Sequence, residues 1–107
     1  MRSWRLSADA DEDLVAIFIQ GCDLFGVRQA SSYIDTLMDV LPQLAANPAM
    51  ARLRTEFEPA FRIFRFKAHI IFYEEGDDEV LILRVRHGHE DWQSDPRGPS
   101  TDEDPTP

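Results

Sequence analysis

From Val80 to Arg86 the chain alternates with period two, Leu81, Leu83 and Val85 on one side and Val80, Ile82, Arg84 and Arg86 on the other. Period two is the mark of a β-strand whose faces meet different surroundings. The face of Leu81, Leu83 and Val85 is expected to bury against helices. The opposite face would then present Val80 and Ile82 beside two guanidiniums, spaced about 6.6 Å apart along the strand. His69 to Glu74 forms a second apolar run, with a polar turn over 75–79 before the strand from Val80. Phe61 to Phe66 forms a third, whose alternation slips between Ile63 and Phe64, predicting a bulge or two partly buried faces. The short connections predict an antiparallel meander.

Ahead of the strands the period changes. Ala10, Leu14, Ile17, Phe18, Gly21 and Phe25 follow three-four spacing, the buried face of a helix. Ser7 stands where an N-cap belongs, and Asp9, Asp11 and Glu12 occupy the first turn, where carboxylates meet the positive end of the helix dipole. Gly21 on that face would admit a second helix closely, and Gly26 suits a left-handed stop. A second stripe follows, Ala30, Tyr33, Ile34, Leu37, Leu41 and Leu44, over about 27–46. Pro42 predicts a kink or early fraying within it, and Asn47-Pro48 ends it. Trp4 to Leu6 is a short candidate strand, and 49–59 a polar connection. The predicted fold is α+β: a short strand and a helical hairpin packed on a three- to four-stranded antiparallel sheet.

With 107 residues and 43% apolar content, one domain with one modest core is expected, spanning 1–92. Segment 93–107 is rich in proline and acid and has no large apolar side chain, so it is expected to stay disordered. The formal charge is −9, and six acids against Arg97 from Glu90 onward supply −5 of it. The rest is segregated, with acids concentrated in the first half and Arg52, Arg54, Arg62, Arg65, Lys67, Arg84 and Arg86 in the second. An acidic total argues against direct nucleic-acid binding, which needs a broad positive field. No run of about 20 apolar residues crosses a membrane and no secretory signal opens the chain, so a cytoplasmic location is expected.

The chemistry-bearing residues are few. Cys22, the single cysteine, excludes an internal disulfide, and its helical position beside Asp23 disfavours a thiolate. His87 and His89 with Glu90 and Asp91 have the residue types of a metal site, but Gly88 leaves them no fixed geometry, and neither metal nor cofactor is expected. Arg84 and Arg86 suit bidentate binding of phosphate or carboxylate, or ordinary ion pairs with Glu56, Glu58 or Glu74. Tyr73 is expected in the core, His69 to close a turn, and Trp92 to pack on the helices or anchor a partner. No glycine-rich phosphate loop or nucleophile elbow occurs, and no convincing catalytic constellation emerges.

The assembled pieces resemble the ParE branch of the RelE/ParE toxin superfamily. They are WRLS-x-DADEDL at 4–14, FGVRQASSYI at 25–34, LAANPAMARLRTEFEPAFR at 44–62, HIIFYEE at 69–75 and ILRVRHGHEDW at 82–92. The chain departs from that pattern at Ala60, where glycine is usual, at Arg86 before the histidine, and in its acidic tail. The resemblance implies a toxin of a type II toxin–antitoxin pair, inhibiting DNA gyrase by protein–protein binding and neutralised by a ParD-like antitoxin. On charge and shape, the uncovered strand face with Arg84, Arg86, Val80 and Ile82, together with Arg62, is the expected antitoxin-binding strip, and Arg52, Arg54 and Trp92 are the expected target contacts. The alternatives are a RelE-like, ribosome-dependent mRNA endonuclease, with Arg84, Arg86 and His87 as its cationic cluster, and a toxin-derived binding module that is no longer toxic.

Overall fold

A computed structural model describes residues 2–88. The order is β1 (Ser3–Leu6), α1 (Ala8–Phe25), α2 (Val27–Ala46), a 3-10 turn at Pro48–Met50, β2 (Leu53–Arg54), β3 (Phe61–Phe66), β4 (His69–Glu75) and β5 (Glu79–His87). Both helices form where the three-four spacing places them. The Ser7 hydroxyl accepts the Ala10 amide as N-cap, and Asp9 and Asp11 lie in the first turn. Gly26, at φ 93°, ends α1 and begins α2, a backbone setting that only glycine adopts without strain. The close approach expected at Gly21 is present: a Cβ there would come within 3.1 Å of the Ala30 Cβ. Helix α2 runs through Pro42 to Ala46 instead of fraying early.

The sheet has five strands in the order β1-β5-β4-β3-β2. Strands β3, β4 and β5 form the expected antiparallel meander. The two additions lie at the edges: β1 joins in parallel beside β5, and two residues of the 49–59 connection, Leu53 and Arg54, pair with β3. The slip in β3 resolves into two partly buried faces, Phe64 packing on the helical side and Ile63 on the other. The irregularity lies one pair of strands away, where Phe72 is opposite Arg84 but Tyr73 is opposite Ile82, leaving Leu83 as the extra residue of a bulge.

That bulge decides the faces of β5, and the outcome reverses the sequence expectation. Val80 and Ile82 are 0% exposed and lie in the main core with Leu37, Leu41, Leu44, Ile71 and Tyr73. Leu81 is only half-buried, and Leu83 packs against Phe61, Ile70 and Phe72 on the other side. Past the extra residue the parity flips, so Val85 rejoins the helical core as expected, at 2%. The period-two pattern carried apolar residues on both faces, so alternation could not choose which face meets the helices. Phe25 also departs from expectation, standing exposed at the hairpin tip instead of closing the buried face of α1.

Candidate functional site

Arg84 and Arg86 are not displayed on an open face; they are 5% and 3% exposed. Their cross-strand neighbours are Phe72 and Ile70, which places them on the side of the sheet away from the main helical core. The Arg84 Nε and a terminal guanidinium nitrogen each donate to the Asp13 carboxylate at 2.8 Å, the fork-to-fork geometry of a strong charge-assisted pair. Asp13 Oδ2 also accepts the Val85 amide at 2.9 Å.

The topology explains why α1 reaches this point. Strand β1 pairs with β5 only as far as Leu6 and Ile82. Beyond it the outer edge of β5 would carry unsatisfied backbone groups. The Ser7 amide donates to the Ile82 carbonyl, the Ser7 hydroxyl donates to the Leu83 carbonyl, and Asp13 then takes the Val85 N–H. Sequence reasoning missed Asp13, although a signal was there. It lies beside Leu14 and three residues after Ala10, a carboxylate on the apolar face of its helix.

The other basic candidates are engaged in different ways. Arg62 donates to the Ala51 carbonyl at 2.7 Å and to Glu75 at 3.1 Å, tying the β2 end of the sheet to β4. Arg54 and the more exposed Arg52 both approach Glu56, at 2.7 and 3.8 Å. The Arg54 hydrogen bond draws the exposed Glu56 carboxyl below its ordinary range. Trp92, His89 and the whole 93–107 tail lie outside the described residues. Tyr73 is buried as expected, its hydroxyl donating to the Pro48 carbonyl at 2.7 Å, and burial pushes its pKa up.

His87 belongs to a different cluster. It is paired across the sheet with His69, the rings 5.3 Å apart edge to face, and the Tyr33 hydroxyl lies 2.7 Å from His69 Nδ1. Burial raises the pKa of Tyr33 above the ordinary phenol value. These three rings line a groove of about 360 Å³ between the helical hairpin and the ends of β4 and β5. Leu24 and Phe25 at the hairpin tip also line it and are 64% and 62% exposed. The hypothetical endonuclease cluster is thus divided: Arg84 binds Asp13 in the interior, whereas His87 lines the groove. Among the described residues, no group of three or more His, Cys, Asp or Glu side chains has metal-binding proximity.

A short strand, a helical hairpin and an antiparallel meander closed by a parallel edge strand define the architecture of the RelE/ParE class. The chain matches the family model described as ParE toxin of type II toxin–antitoxin system, parDE, over residues 4–92. It belongs to that family. It is 32% identical to Toxin ParE3 of Caulobacter vibrioides over 76 residues, 71% of this chain and 76% of that protein. Toxin ParE1 of the same organism is 31% identical over 87 residues, covering 81% and 90%. A solved structure titled chromosomal ParDE TA system from P. aeruginosa superposes with a TM-score of 0.71 at 20% identity, covering 81% of this chain and 96% of that one, a likeness of fold.

Proposed function

We propose that this toxin acts in the cytoplasm by binding DNA gyrase through a protein–protein contact, and that a ParD-like antitoxin neutralises it by binding in turn. The family match over residues 4–92 carries the reading. The local chemistry supports it. An RNA-cleaving site needs cationic side chains poised at the scissile phosphate, and the guanidinium fork of Arg84 is occupied by Asp13. Arg52, exposed beside Arg54 and Glu56, remains a candidate target contact in this proposal, and no helix among the described residues is long and apolar enough to cross a membrane.

Induced expression in the absence of antitoxin is expected to give filamentous cells with damaged DNA while bulk mRNA stays intact. Co-expression of the antitoxin should restore growth. Rapid loss of translated mRNA, with cuts mapping to the ribosomal A site, would overturn the gyrase reading in favour of the endonuclease. Normal growth without antitoxin would favour a binding module that has lost its target.

A further inference from the structure

We infer that the sheet face turned away from the helices is a docking surface for this chain's own segment 89–92, with Trp92 seated against Phe57, Phe61 and Phe72. Strands β3, β4 and β5 carry a second apolar cluster on that side: Phe61, Ile70 and Phe72, with Phe57, Ile63 and Leu83 packed around them. No residue of α1 or α2 belongs to it. A sheet face with no layer over it leaves its side chains partly in water. Here Phe61, Ile70 and Phe72 are 1%, 3% and 0% exposed. Phe57 stacks on Phe61 with 4.9 Å between centroids. A single ring cannot cover a face three strands wide, the strands lying about 4.8 Å apart. The remaining cover comes from the segment that follows β5.

The end of β5 aims that segment at this face. The Gly88 amide donates to the Ala68 carbonyl at 2.8 Å, so the chain turns over the β3–β4 connection. A Cβ at Gly88 would stand 2.8 Å from an Arg65 guanidinium nitrogen. Arg65 is in turn opposite Ile70, a member of the second cluster. From Arg65 back to Phe61 is four residues of β3, about 13 Å at strand pitch, and Gly88 to Trp92 has the same reach. Running back along β3, Trp92 arrives over Phe61, whose ring centroid is 5.4 Å from that of Phe72. Aromatic pairs there add to what burial of the indole contributes. Glu90 and Asp91 are carried past Arg65 on the way, an approach that charge favours. Trp92 seated in this way belongs to the second core of the domain and not to a target-binding surface.

The chain has two tryptophans, so Trp4→Phe leaves Trp92 as the sole reporter. In the folded, full-length variant its emission should be blue-shifted, and its quenching by acrylamide severalfold weaker than in urea. Trp92→Ala should lower the Tm by about 8 °C or more, as truncation of a buried aromatic ring does. Deletion of 94–107, which holds no large apolar side chain, should move it by less than about 2 °C. Coupling tests the location. Ile63→Ala should lower the Tm by roughly half as much, or less, in the Trp92→Ala background as in the wild-type chain. Ile34→Ala, half-buried on the helical side, should cost the same in both. Emission matching the urea-unfolded chain, or an unchanged Tm in Trp92→Ala, would overturn the docking. Coupling to Ile34 instead of Ile63 would overturn it by placing Trp92 on the helices. Emission that reddens on dilution of the folded protein would overturn the intramolecular contact and give the face to a second copy of the chain.

Discussion

Asp13→Ala is expected to destabilise the domain by about 3–5 kcal/mol, as loss of one partner of a buried ion pair generally does. The substitution leaves the Arg84 guanidinium, 5% exposed, without the carboxylate that accepts two of its donors. It also leaves the Val85 amide without the Asp13 oxygen that accepts it at 2.9 Å on the outer edge of β5. Natural domains are stable by only about 5–15 kcal/mol, so the loss removes a large share of the total. Urea unfolding followed by circular dichroism would measure it, and a loss under about 1 kcal/mol would show that the pair is not integral to the fold. The double variant Asp13→Leu with Arg84→Met should recover much of the deficit, because removing both charges abolishes the uncompensated one. That recovery separates the cost of a stranded charge from the worth of the pair.

Ile82→Ala is expected to cost about 2–5 kcal/mol, the range for truncating a fully buried aliphatic side chain. Ile82 is 0% exposed and packs within the cluster of Leu37, Leu41, Leu44 and Tyr73, so the neighbours can relax only partly into the space it leaves. Leu83→Ala, one residue on and half-buried against Phe72 and Ile70, should cost roughly half as much, in keeping with its smaller burial. The contrast bears directly on the register of β5. If the strand faced the other way, the ranking would invert: Ile82→Ala would be nearly silent and Leu83→Ala severe. Parallel unfolding curves of the two variants decide between these outcomes.

The helices, the meander and the hairpin turn were legible because each rests on a local pattern. Ser7 caps, Gly26 takes a positive φ, and the stripes of α1 and α2 repeat at helical spacing. The orientation of β5 was not legible, because its partner faces both offered apolar surface and one extra residue, Leu83, changes the parity midway. Nor was the parallel strand β1, whose pairing with β5 depends on residues about 76 positions apart. Arg84 was singled out correctly as unusual, but for display instead of burial. A guanidinium within an apolar strand implies a buried partner or an open ligand site, and the choice required knowing that Asp13 faces it across the fold. The groove stayed hidden for the same reason: Tyr33, His69 and His87 come from one helix and two strands, and only the sheet register joins them.

A gyrase-directed toxin controlled by its antitoxin is tested by DNA supercoiling with purified gyrase and the purified chain added. Supercoiling activity is expected to fall with dose and to be restored when antitoxin is mixed with the toxin beforehand. Undiminished supercoiling at toxin concentrations that arrest growth in cells would contradict it.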